Sequence, residues 1–297
     1  MMPVNIHDLN IFATAARLGS VTKTARTLAT VQSNVTTRIR LLEEELGAEL
    51  FRRNHRGIQL TPKGHELLPY AQQVVALVQK ARETVSNKDR DVQGVLRIGS
   101  LQSTASARLP EILKEYAVKY KKVDIAVETG VASELIERVL DYQIEGAFVS
   151  GPVDRPELNV IPAFVEEIVV LTPPEFRTIK QYLAAKGPVP KLLVFKVGCY
   201  YRQKLEQYLA HEGFADLNEM EFGTLDGIIG CVSAGLGISM LPRSVVERSG
   251  CRREVRMHTL PKKISRVETS FVIHKGQVKS SALERLIDLI SARRQAQ

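Results

Sequence analysis

Apolar positions in the first fifty residues recur at helical spacing in three short runs. Ile6, Leu9, Phe12, Ala13 and Ala16 predict a helix over 6–18, which Gly19-Ser20 ends while capping the next one. The second helix covers 22–29, with Ala25 and Leu28 inward. A third runs from Gln32 to about Leu46 on the stripe Val35, Ile39, Leu42 and Leu46. Its other side carries Gln32, Ser33, Asn34, Thr36, Thr37, Arg38 and Arg40, and nothing acidic before Glu43. Such a face suits a DNA major groove, where Gln and Asn pair with adenine and Arg with guanine. Two helices joined at Thr30-Val31 then form a helix-turn-helix. Phe51–Asn54 and Ile58–Leu60 flank His55-Arg56-Gly57 as a hairpin with a basic tip, a wing. Periodicity alone leaves a second reading open, a small helical bundle with a solvated polar face.

From Thr61 the spacing lengthens into one helix, 62–87. Leu67, Ala71, Val74, Val78, Ala81 and Val85 repeat at alternating intervals of four and three, with Pro69 near the start. This is the seam of a two-chain zipper or of a helix packed on its own body. A polar hinge follows over 86–92. Strand and helix patterns then alternate: strands at 95–100, 124–129 and 146–149, helices at 108–120 and 133–142, and a similar series from 164 to 241. A strand at 270–274 and a helix at 281–292 close the chain. This alternation predicts an α/β body with a parallel sheet.

Composition sharpens this picture in three ways. The 297 residues exceed what one domain usually takes, and 44% hydrophobic with 25% charged residues excludes disordered and fibrous classes. The net charge of +8 is segmented, being +5 over 1–90, −5 over 91–242 and +8 over 243–297. A basic head on an acidic body points to a polyanion partner for the head. No window is apolar enough for a membrane span, and Met1–Asp8 lacks a signal core, so a cytoplasmic protein is expected.

The residues Leu9–Phe12, Gly19-Ser20-Val21, Ala25, Leu28, Gln32, Ile39, Leu42–Gly47, Leu50–Arg53, Arg56-Gly57 and Leu60–Gly64 closely resemble the LysR-type transcriptional regulators. Val31 departs from the family, which often has a serine at the start of the recognition helix; Thr30 is the substitute cap. The resemblance implies a winged helix-turn-helix over 4–61, a dimerisation linker over 62–87 and a two-lobed effector domain over 94–297. That domain has the solute-binding-protein (type 2) fold, lobe I at about 94–163 and 267–297 and lobe II at about 164–266. Gln32–Arg38 would read bases, while Thr22, Arg40, Arg52 and Arg56 hold phosphates. The implied partners are double-stranded DNA, further copies of the chain, a small-molecule effector and RNA polymerase; no cofactor is implied.

Ligands of open α/β sheets collect at the carboxyl ends of strands, beside helix N-termini. Ser100, Gln102, Ser103 and Thr104 stand at one such end. Ser150 ends the third body strand, and Cys199-Tyr200 and Thr224-Asp226 begin two later helices. Together they form a candidate cleft for a small anion or carboxylate-bearing metabolite, though capping a helix is the commonest use of Ser, Thr and Asp at such positions. Cys199, near Arg202 and Lys204, raises the alternative of a thiol switch, alone or with Cys231. A repressor without an effector is the other alternative. A free solute-binding protein would lack a use for the head. An enzyme is not expected: the sequence has no G-x-S-x-G, H-E-x-x-H, P-loop or G-x-G-x-x-G, and neither its six His nor its three Cys fall at metal-ligand spacing. The basic run from Arg243 to Arg266 is a candidate contact between copies.

Overall fold

The computed structural model describes residues 4–54, 57–85, 92–187, 189–214 and 216–295. The wing tip His55-Arg56 and the hinge at 86–91 lie outside the described residues, as does the side chain of Val85.

The head comprises α1 (Ile6–Leu18), α2 (Val21–Thr27), α3 (Gln32–Leu46), β1 (Phe51–Asn54) and β2 (Gly57–Leu60). Ser20 accepts the Lys23 N–H at the start of α2, 3.4 Å away. Two small cores hold the head together. Leu9, Phe12, Leu42 and Leu50 form one, and Ile11, Ala15, Ala25, Val35, Ile39 and Ile58 the other. The inward set differs from the expected one at both ends. Ile6 is exposed and Ile11 and Ala15 are buried in its stead, while Leu46 is exposed because α3 stops at Gly47 and Leu50 fills the space.

The wing is anchored rather than free. The Glu43 carboxylate accepts the Leu50 and Phe51 N–H groups at 2.7 and 3.1 Å, which ties the last turns of α3 to β1. On the other strand, Ile58 N–H donates to Gly19 O at 3.1 Å. Gly57 has φ +133°, and a Cβ there would stand 2.3 Å from Gly19 O. Gly57→Ala is therefore expected to destabilise the head by roughly 1–3 kcal/mol and to pull the wing off the α1–α2 turn. Thermal unfolding and amide exchange at Ile58 would read both effects.

The linker helix α4 (Pro62–Val85) starts at Thr61, whose hydroxyl accepts the Gly64 N–H and donates to Glu49 O. It continues through Pro69. Leu68 and Ala71 are buried in the head's own core, with Leu67 packed against it.

The body continues as β3 (Gln93–Ser100), α5 (Gln102–Ala107), α6 (Leu109–Lys119), β4 (Lys122–Thr129), α7 (Ala132–Leu140), β5 (Gly146–Ser150) and β6 (Leu158–Thr172). Next come α8 (Ile179–Lys186), β7 (Lys191–Val194), α9 (Tyr200–His211), β8 (Asn218–Glu221), α10 (Leu225–Ser233) and β9 (Ser239–Pro242). The chain ends with α11 (Arg243–Arg248), β10 (Arg256–Thr259), α12 (Lys262–Ser265), β11 (Arg266–His274) and α13 (Ser281–Gln295).

The main sheet has the order β10-β6-β11-β5-β3-β4, with β9 also on β6. It is mixed rather than parallel. β3 runs parallel to β4 and β5, and β7 to β8, whereas β11 is antiparallel to β5 and β6, and β6 to β9 and β10. The reason lies in β6, a fifteen-residue strand whose first half pairs in lobe I and whose second half starts lobe II. β11 runs back alongside it, so two antiparallel strands join the lobes. Lobe I is built on Leu96, Ile98, Tyr116, Phe148, Phe271 and Leu286, and lobe II on Ile168, Tyr182, Leu205, Ile238 and Met240.

Candidate DNA-reading face and effector cleft

On α3, Gln32, Ser33, Thr37 and Arg40 are exposed. Thr22 on α2 and Arg52 on β1 are exposed as well, and so are Lys23 and Arg26, two cations that the sequence pattern passes over. The remaining expected readers are engaged inside the head. The Asn34 amide donates to Thr30 Oγ1 at 2.9 Å, Arg38 lies 3.6 Å from the buried Asp8, and Thr36 is half-buried. Thr30 thus holds Asn34 instead of capping α3. Val31 supplies no side-chain cap either, so the first N–H groups of α3 keep the partner-seeking character of a helix N-terminus. Arg56 lies outside the described residues.

In the body, a cavity of about 190 Å³ opens between the lobes. It brings together five of the expected residues, Gln102, Ser103, Ser150, Cys199 and Tyr200. Its floor is a chain of hydroxyls: Ser150 Oγ lies 2.7 Å from Thr269 Oγ1 and 3.1 Å from the Tyr201 hydroxyl. Burial raises the Tyr201 pKa to about 12, against the pull of hydrogen bonds from Ser150 and Ser103. Tyr201 therefore stays a neutral hydroxyl at any physiological pH. The N-termini of α7 and α9 border the cavity, and neither Val131 nor Cys199 caps its helix by a side-chain hydrogen bond. The first N–H groups of α7 are thus left for an anion, while those of Tyr201 and Arg202 on α9 face the Cys199 sulfur. Glu134 and Lys196 add one charge of each sign, and Phe195 and Phe222 add apolar walls.

Four expected cleft residues do not line it. Ser100 is fully buried and donates to Leu101 O, and Thr104 is buried within α5. Thr224 caps α10 by accepting the Gly227 N–H, and Asp226 sits exposed in that helix's first turn. Capping explains Thr224 in full. The residues that sequence reading missed are Thr129, Gly130, Val131, Glu134, Phe195, Lys196 and Phe222. Apart from the N-cap position of Val131, none carries a local signal, because the cleft is assembled by the crossing of β6 and β11.

The surroundings of Cys199 disfavour its thiolate. Burial pushes its pKa up, outweighing the N–H groups of Arg202 and Tyr201. Arg202 is committed to Glu206 at 2.8 Å and to Glu219, and Lys204 lies over the Tyr200 ring. Cys199 packs with the core of α8 and α9, whereas Cys231 and Cys251 pack beneath α10 and α11. The basic run near the C-terminus is partly spent inside the molecule. Arg243 makes a two-pronged pair with Glu167, Arg248 pairs with Glu111, and Arg256 donates to Pro174 O.

Comparison with known proteins agrees with both halves of the molecule. Residues 6–65 match the family model of the bacterial regulatory helix-turn-helix protein, lysR family, and residues 89–295 match the LysR substrate binding domain. The chain belongs to the LysR family and is a transcriptional regulator with an effector-binding domain. It is 41% identical over 280 residues to the HTH-type transcriptional regulator GltR of Bacillus subtilis, covering 94% of each chain. Among solved structures, full-length OxyR from Pseudomonas aeruginosa matches with a TM-score of 0.79 at 19% identity, over 98% of this chain and 95% of that one. Full-length CbnR in complex with its target DNA matches with a TM-score of 0.56 at 20% identity, over 99% of this chain and all of that one. No helix among the described residues is long and apolar enough to cross a membrane.

Proposed function

We propose that the chain is a sequence-specific, dimeric DNA-binding regulator whose head spans 4–61, whose linker spans 62–87 and whose effector domain spans 94–297. The observation that carries this reading is the exposed, acid-free donor face at the start of α3, flanked by a wing anchored through Glu43. Gln32, Ser33 and Thr37 would meet base edges, while Arg40, Arg52, Thr22, Lys23 and Arg26 hold phosphates. Asn34 and Arg38 would contribute only after leaving Thr30 and Asp8. The seam between copies would be Tyr70, Val74, Leu77 and Ala81 on α4, all exposed, in place of the expected Leu67 and Ala71. A small carboxylate-bearing effector between the lobes would shift them about β6 and β11, through unequal affinity for two arrangements. RNA polymerase is the partner at which an activator's shift would act.

Two substitutions separate positioning from reading. Arg40→Ala is expected to weaken binding to all DNA and to lower the salt slope of log K by about one. Gln32→Ala should cost ~1–3 kcal/mol of discrimination at one base pair while leaving the slope unchanged. Fluorescence anisotropy on operator and scrambled duplexes at several salt concentrations reads both; unchanged values for both variants would remove α3 from the interface. The upward push of desolvation on the Cys199 pKa favours the metabolite reading over the redox one. Operator binding is accordingly expected to be the same before and after peroxide, in the wild type and in Cys199→Ser, by the same assay.

A further inference from the structure

A cavity of about 690 Å³ opens where the head and linker meet lobe I, well away from the cleft between the lobes. Arg17 at the end of α1, His65 and Gln72 on α4, and Arg97, Glu128 and Arg138 of lobe I face it. A second cavity, of about 330 Å³, shares Arg17, Gln72, Arg97 and Gln143 with the first, which places these residues on the wall between the two. The charges around this junction do not balance. Arg138 is taken by Glu128 at 2.5 Å. Neither guanidinium of Arg17 nor of Arg97 has a hydrogen-bond or ion-pair partner among the described residues. Glu145 lines the second cavity with Arg97, and its carboxylate already accepts the Ser280 hydroxyl at 2.6 Å and the Arg97 backbone N–H at 3.3 Å. Burial raises the pKa of Glu145, against the opposing pull of the Ser280 hydrogen bond and of Arg97. Arg17 in turn has its pKa lowered by desolvation and by Arg97. Two guanidinium groups, one from the head and one from the body, thus face a shared space that also holds Arg138, against two acids: Glu145, and Glu128, which pairs with Arg138 through Oε2 and has its other oxygen buried without a hydrogen-bond partner.

We infer that the junction between head and lobe I is a second binding site, for a small oligoanion of the phosphate or polycarboxylate class held between Arg17 and Arg97. The bland use of Arg17, offsetting the C-terminal dipole of α1, accounts for one cation but not for a second opposite it. Planar guanidinium forks match carboxylate and phosphate oxygens in pairs, and the cavity is wide enough for a metabolite. The site exists only while the head lies against lobe I, so an anion bound there selects that arrangement and links metabolite concentration to head placement independently of the cleft.

The test uses the full-length protein in a chloride buffer free of phosphate, at constant ionic strength, titrated separately with citrate and with inorganic phosphate while thermal unfolding is followed. The wild-type midpoint is expected to rise by several degrees at millimolar anion. Arg17→Gln and Arg97→Gln should each weaken that response roughly ten- to hundredfold. Without anion, Arg97→Gln should unfold no earlier than the wild type, since it removes a repulsion; a merely structural arginine would give earlier unfolding. Lys196→Gln, in the cleft, should retain the response. A wild type indifferent to both anions, a response untouched by both arginine substitutions, or one lost in Lys196→Gln would each overturn the inference, the last by placing the anion in the cleft.

Discussion

Glu166→Ala is expected to destabilise the effector domain by roughly 2–3 kcal/mol. Glu166 sits on β6 where the strand passes between the lobes, almost fully buried. It accepts the Arg108 guanidinium through both oxygens, at 2.6 and 3.1 Å, and the Ser244 hydroxyl at 2.9 Å. Breaking a buried pair by removing one partner usually costs ~3–5 kcal/mol. The lower figure applies here because Arg108 is partly exposed and regains water once its partner is gone. Such a loss lowers the unfolding midpoint by roughly 4–12 °C for a domain of this size. Glu166→Gln keeps one acceptor and should fall between. The consequence reaches function because Arg108 belongs to lobe I and Ser244 to α11 of lobe II, and Glu167 next door holds Arg243 in the same way. The paired carboxylates set how the lobes sit about their two crossing strands. A change below about 0.5 kcal/mol would mean that solvent satisfies Arg108 and Ser244 without Glu166.

Leu77→Asp is expected to weaken self-association by at least about a hundredfold, and operator binding with it. Leu77 is 56% exposed and Tyr70 68% exposed on α4, with Val74 beside them. Burying one such side chain gains ~1.5–3 kcal/mol, and a two-fold interface carries each substitution twice. A carboxylate in that seam adds a desolvation cost to the lost contact. Because Leu77 is exposed in the single chain, the fold should tolerate the change, and sedimentation velocity would then show an intact monomer. Leu67→Ala serves as the contrast. It should lower the stability of the head and leave association unchanged, because Leu67 packs on the core of Leu9, Phe12 and Leu42. If Leu77→Asp stayed as associated as the wild type, the contact between copies would lie elsewhere.

The two stripes of α4 show what the sequence could and could not reveal. Leu67-Ala71-Val74-Val78 and Tyr70-Val74-Leu77-Ala81 share the same alternating spacing, so periodicity identifies the helix but not the face that the head's own core consumes. The end of α3 is similar. Val35, Ile39 and Leu42 were legible as core, but the left-handed Gly47 stops the helix before Leu46 can turn inward. The apolar pattern shows β6 only from Phe164 onward, past Pro162. In the fold Pro162 sits at a register shift opposite Thr269 and Ser270, a place where proline is tolerated within a sheet. Residues at strand ends, such as Ser103 and Ser150, were findable in the cleft by a general rule of α/β sheets. Glu134, Lys196 and Phe222 were not, because they meet only after two segments some sixty to ninety residues apart are folded against one another.

That a dimer reads a defined sequence is tested most directly by genome-wide cross-linking of the tagged protein followed by sequencing. Discrete sites sharing a two-fold symmetric motif are predicted, with their occupancy lost in Leu77→Asp and their motif blurred in Gln32→Ala. Diffuse binding without a shared motif, unaffected by either substitution, would contradict it.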